Sequence, residues 1–188
     1  MNNSQRFSYQ YSYYFSGNIL ISIAGLISFP IWTRFFSKEE YGILAIINTT
    51  IFFLVVFSKL GLPHAALRFY SDFKENKMGT GIESYYTTLI SGSIIISASV
   101  AIIVLLMTEI FFYRSFNEKI ISLLPLSAII IFIISINSIL TEFIRAEQRG
   151  ILYNIVQIVS RYGQLVISII LVYVFQENLY GFFLGTAI

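Results

Sequence analysis

The sequence predicts an all-α, polytopic transmembrane helix bundle with five full spans and a truncated sixth. Three observations carry this expectation. The 188 residues are 56% hydrophobic and 12% charged, with a mean hydropathy of +0.76, whereas a soluble domain has roughly twice that charged fraction and a disordered chain has the opposite bias. Five apolar stretches approach or exceed the roughly 20 residues that a helix needs to cross a bilayer core with its backbone hydrogen bonds satisfied internally. The segments between them are short and carry the glycines, prolines and charges that end helices.

In chain order, Met1–Tyr14 holds one arginine and four tyrosines and lacks the cleavage site of a signal peptide; it reads as a mature interfacial segment, since tyrosine rings suit the headgroup layer. The bundle then occupies residues 15–188. Its first span is Phe15–Trp32, where Asn18, Ser22, Gly25, Ser28 and Trp32 recur at helical spacing suited to close packing, and Pro30 removes a backbone donor. Ser37-Lys38-Glu39-Glu40 forms a Ser-x-x-Glu capping box ahead of the second span, Gly42–Leu62, which Gly61-Leu62-Pro63 closes. Asn48 and Lys59, three turns apart, share a face of that span, and Lys59 reads as a side chain reaching back to the interface. His64 and Arg68 follow four residues apart; a lone histidine reads as structural before it reads as a ligand. Ser71 to Glu83 is the longest expected loop. Tyr85–Met107 and Ile120–Leu140 are the third and fourth spans, with Glu142 and Arg145 spaced to pair on the helix surface just beyond. The fifth is Ile151–Phe175. A sixth run begins at Leu179, and a carboxylate within hydrocarbon would be costly, so the chain reads as the N-terminal part of a longer protein. No internal repeat is visible.

With no cysteine and a single histidine, disulfide frameworks, thiolate catalysis and Cys- or His-rich metal sites are excluded. No Walker loop, paired intramembrane carboxylates or nucleophile and base constellation is present, so neither an enzyme nor a cofactor or metal is expected. A net charge of +2 gives no footing for nucleic acid. Orientation rests on Lys and Arg in the connections. With the N-terminus inside, Arg6, Arg68, Lys74, Lys77, Arg145 and Arg149 are cytoplasmic, against Arg34, Lys38, Arg114 and Lys119 outside. The N-terminus is therefore expected to be cytoplasmic.

The fifth span carries the most informative pattern. Glu147, Gly150, Asn154, Gln157, Arg161, Gln164 and Ser168 recur every three or four residues and are expected to form one polar face on an otherwise apolar helix. An arginine at the centre of a span costs about 2.5 to 3.5 kcal/mol on insertion scales. Arg161 is thus expected to face water, a partner charge or an anionic ligand. The alternative is that it snorkels, but Tyr162–Phe175 alone is too short to span.

At Trp32-Thr33-Arg34-Phe35-Phe36-Ser37-Lys38-Glu39-Glu40-Tyr41-Gly42, then at Gly61-Leu62 and Ala65-Ala66-Leu67-Arg68-Phe69, the chain resembles the start of bacterial polysaccharide-biosynthesis flippases. These are lipid-linked oligosaccharide transporters of the O-antigen type, in the superfamily that also holds multidrug-and-toxin exporters. The resemblance implies two six-helix bundles around a central cavity, of which this chain would supply the N-terminal one. It implies alternating access that carries an undecaprenyl-pyrophosphate-linked repeat unit of O-antigen, capsule or exopolysaccharide across the bacterial cytoplasmic membrane. It also implies membrane lipids, a polysaccharide polymerase and glycosyltransferases as partners. Cationic cavity residues of the family engage pyrophosphate and acidic sugars, which carries over to Arg34, Arg68 and Arg161; Asn154, Gln157 and Gln164 join them as substrate-binding candidates from the stripe. A multidrug or small-cation antiporter of the same fold is the competing expectation, although it should have a carboxylate within the first span and Phe15–Trp32 has none. A non-transporting scaffold is the third, and it would not need a continuous polar stripe.

Overall fold

The computed structural model describes residues 3–75, 79, 81–108, 118–175 and 178–187. Among them the regular structure is helical throughout: α1 (Asn3–Phe35), α2 (Lys38–Lys59), α3 (Leu62–Lys74), α4 (Ile82–Met107), α5 (Glu118–Ala146), α6 (Gly150–Phe175) and α7 (Asn178–Ala187). Five helical stretches are long and apolar enough to cross a membrane, with α2 and α3 together forming one of them. The protein is a multi-pass membrane protein built as a helical bundle. Lys77 and Arg114, the side chains of residues 3–14 and that of Lys119 lie outside the described residues, and so does the part of the Lys and Arg count that rests on them.

α1 runs unbroken from Asn3 into the first span and through Pro30. Hydroxyls within the spans are kept in lipid by donating to carbonyls of their own helix, as Thr49 does to Ala45 and Ser99 to Ile95, both at 2.8 Å. The capping box forms in both directions: the Ser37 N–H donates to Glu40 Oε2 at 2.9 Å and the Glu40 N–H to Ser37 Oγ at 3.3 Å. Two of the donors that a helix start leaves unpaired are thereby satisfied.

α2 ends where Leu60 and Gly61 both adopt the left-handed region, with φ of 41° and 76°. The chain does not become a loop there. A second helix, α3, starts with Pro63 in its first turn and continues to Lys74, which removes the first part of the expected Ser71–Glu83 loop. α3 is short and two-faced. Leu62, Ala66, Tyr70 and Phe73 pack against Tyr85 and Leu89 of α4 and Ile139 and Phe143 of α5, while His64, Arg68 and Ser71 are exposed. A helix of 13 residues lies below span length, and its charges masked the apolar side in a reading based on run length.

The chain divides into two compact units. One, Gly42–Ala146, holds α2 from Gly42 onward and α3 to α5. Its core is the cluster around Ala66, Tyr85, Leu89, Ile139 and Phe143. The Tyr85 hydroxyl donates to the Ala66 carbonyl, and Ser58 of α2 and Ser135 of α5 are hydrogen-bonded, both fully buried. At the end of α5, Arg145 Nη1 meets Glu142 Oε1 at 3.5 Å, the expected pair.

The other unit combines Met1–Tyr41 with Glu147–Thr186 and holds α1, α6 and α7. α1 lies alongside α6 in the same direction, since Gly17 faces Asn154 and Leu20 meets Tyr162 further along. α7 returns antiparallel to α6: Gly181 sits on Leu171 and Val172, and Gly185 on Ser168. At the far end of α1, Trp32 stacks on Phe36 at 5.6 Å and meets Phe182 of α7 edge-on at 4.9 Å. The packing face of α1 differs from the expected one. Gly17, Ala24 and Trp32 are buried, Asn18 and Ser22 are exposed, and nothing lies within 4 Å of a side chain built on Gly25.

Candidate functional site: the polar face of helix α6

α6 begins at Gly150, so Glu147 is not part of its face. Gln148 takes a φ of 59° in the turn before it, and Glu147 pairs with Arg149 at 2.9 Å. The stripe therefore runs from Gly150 to Ser168, about 27 Å at 1.5 Å per residue. Its sidedness follows from about 100° of rotation per residue. Ile155, Val159, Val166, Ile170 and Tyr173 cluster on one side, all more than half exposed, which is the surface a lipid-facing helix presents. Asn154, Arg161, Ser168 and Val172 fall on the opposite side, so Arg161 points away from the apolar exposed surface.

Neighbouring helices close the two ends of this polar face. Asn154 is 8% exposed and lies so close to α1 that a Cβ on Gly17 would come within 2.6 Å of its Cγ. Toward the other end, Gln164 Nε2 donates to the Thr186 carbonyl at 3.5 Å and Ser168 Oγ to the Phe182 carbonyl at 3.4 Å, both on α7. Arg161 lies seven residues from Asn154 and seven from Ser168, about 10 Å each way, and among the described residues it is exposed and makes no ion pair. One turn before it, Gln157 is half-buried and its Nε2 donates to the Tyr153 hydroxyl at 3.2 Å. Beside it, the Tyr162 hydroxyl donates to the Leu20 carbonyl of α1 at 3.0 Å and fixes the register of α1 against this part of α6.

The residues expected to bind substrate are thus only partly brought together. Arg161 and Gln157 share the open middle of the face. Asn154 and Gln164 bound it and are engaged in helix packing. Arg34, exposed in the last turn of α1, lies 14 residues beyond Leu20, about 21 Å along the helix, and does not join Arg161. Arg68 belongs to the other unit, exposed on α3 with its guanidinium 5.5 Å from the Phe69 ring. Two features were not foreseen. The Gly181-x-x-x-Gly185 spacing that seats α7 on α6 is visible in the sequence as a close-packing motif. The pairing of Tyr153 with Gln157 could have been found from its i, i+4 spacing. No group of acidic and histidine side chains that could hold a metal occurs among the described residues.

The polysaccharide biosynthesis protein family matches the chain over residues 10–187. No curated protein matches it, and no solved structure does.

Proposed function

We propose that this chain, which belongs to the polysaccharide biosynthesis protein family, takes part in moving a lipid-linked oligosaccharide across the bacterial cytoplasmic membrane, without chemical change to the cargo. The cargo is a repeat unit of O-antigen, capsule or exopolysaccharide on an undecaprenyl-pyrophosphate carrier. The observation that carries the reading is Arg161, a permanently charged group within a spanning helix, on the side opposite the lipid-facing residues and open between the contacts made by α1 and α7. A guanidinium offers a fork of donors matched to two phosphate oxygens, a geometry that lysine reproduces poorly. The amide of Gln157, one turn away, adds a neutral hydrogen-bonding group of the kind sugars require.

The test is export of surface polysaccharide by the intact protein in a flippase-deficient strain, measured beside membrane abundance. Arg161→Ala abolishes export and Arg161→Lys restores part of it, both at normal abundance. A structural arginine behaves otherwise: Arg161→Leu inserts better, because a desolvation cost is relieved, and leaves export intact. Normal export by Arg161→Leu overturns the proposal.

A further inference from the structure

Among the described residues a single buried side-chain oxygen has no hydrogen-bond partner, Oε2 of Glu142 on α5. The other carboxylate oxygen, Oε1, meets Arg145 Nη1 at 3.5 Å, longer than a well-formed bond and toward a guanidinium that is half in solvent. A buried carboxylate oxygen left in this state costs more than a neutral polar atom in the same place. The cation placed to meet it is Lys59 of α2. Glu142 lies two turns beyond Ser135 on the same face of α5, about 10 Å along the axis. Ser135 is bonded to Ser58, the neighbour of Lys59. The Lys59 side chain is half-buried, its ammonium is attracted by Glu142, and it makes no ion pair among the described residues. Its stem is long and flexible.

The backbone beside Lys59 can bend. Leu60 and Gly61 both take the left-handed region, with φ of 41° and 76°, which glycine adopts freely and leucine only under strain. Beyond this joint, α3, α4 and α5 pack as one block around Ala66, Tyr85 and Phe143, a cluster to which α2 contributes none of the described residues. A change of angle at the joint therefore moves Lys59 relative to Glu142 and leaves that cluster intact. We propose that Lys59 and Glu142 are the two halves of a latch, open in this arrangement and closed as a direct ion pair in a second one, with Leu60 and Gly61 as the hinge about which α2 swings against α3 to α5. An ion pair made in one arrangement and broken in the other sets their relative populations. The role of the latch in a transport cycle rests on the proposed function; the pairing itself does not.

The experiment uses the intact, naturally cysteine-free protein in membranes. Lys59→Cys and Glu142→Cys are combined and treated with a short, reducible bifunctional methanethiosulfonate. The pair is expected to crosslink, read as lost labelling by a maleimide-linked polymer, whereas Lys38→Cys with Lys59→Cys, at the two ends of α2, is expected to stay open to the label. Export of surface polysaccharide in a flippase-deficient strain is expected to stop on crosslinking and to return on reduction. Lys59→Gln and Glu142→Gln are each expected to slow export about tenfold at normal membrane abundance, and the double variant by about tenfold as well, because both remove the same interaction. Arg145→Gln is expected to stay within about twofold of the unmodified protein, since the outer contact is exposed. Failure of the pair to crosslink, export that continues through the crosslink, or a double variant slowed about a hundredfold, the product of two independent losses, overturns the latch. Full export by Arg161→Ala, with arrest by the crosslink, removes the reading of Arg161 and keeps the latch. If the unmodified protein exports nothing, the transport reading falls and crosslinking of the pair decides the latch alone.

Discussion

A guanidinium is tolerated inside a membrane-spanning helix where something other than hydrocarbon surrounds it, and the neighbours of Arg161 set that condition through small and polar contacts. Asn154 holds α1 close because Gly17 has no side chain to keep it away. The consequence is a contrast between two glycines of one helix. Gly17→Ala places a methyl group within 2.6 to 2.8 Å of three Asn154 side-chain atoms, so that contact must shift, whereas Gly25→Ala enters open space. Overpacking of this kind costs roughly 1 to 3 kcal/mol. An alanine at an unobstructed helix position gains roughly 0.8 to 1 kcal/mol from propensity instead. Thermal unfolding of the purified protein should therefore fall for Gly17→Ala and hold or rise for Gly25→Ala. Equal behaviour of the two would mean that the Asn154 amide turns aside and does not hold the spacing of α1 and α6.

At the scale of elements, the seat of α7 on α6 is made by the absence of side chains at Gly181 and Gly185. A Cβ on Gly181 would lie 2.6 Å from the Val172 backbone nitrogen, and one on Gly185 would run into the backbone and hydroxyl of Ser168. Backbone this close cannot yield as a flexible side chain can, so Gly185→Leu should detach α7 and expose Ser168 and Gln164. In the naturally cysteine-free chain, Ser168→Cys should react slowly with a membrane-permeant thiol reagent and much faster once Gly185→Leu is added; an unchanged rate would count against the packing. Helix by helix, the sequence foretold what depends on local chemistry. Ser37 and Glu40 cap α2 because their spacing suffices, and the five spans follow from apolar length. What it hid depends on neighbours. α3 has too few residues to register as a span, and its apolar side gains meaning only against Tyr85 and Phe143. The polar stripe was legible as a periodicity, yet nothing within α6 could reveal that Asn154, Gln164 and Ser168 serve packing while Arg161 stays open, because α1 and α7 make that division.

For the whole molecule, the arrangement of helix ends turns the sense of insertion into a single question. α2 has 22 residues and is about 33 Å long, enough to place Lys38 and Lys59 at opposite faces of a bilayer core. α3 follows the break at Leu60 and Gly61 and packs on Tyr85, near the start of α4, and Phe143, near the end of α5. The end of α2, the whole of α3, the start of α4 and the end of α5 thus share one side, and Lys74 is on it. On the orientation expected from the lysine and arginine count, with the N-terminus inside, that side is cytoplasmic, and it gathers Arg68, Lys74 and Arg145. Lys38 and Lys74 are both exposed, which suits them to single-cysteine labelling. In intact cells, an impermeant maleimide should label Lys38→Cys and spare Lys74→Cys until the membrane is permeabilised. The reverse pattern would invert the topology without disturbing the fold, and labelling of both from outside would show that α2 does not cross the membrane.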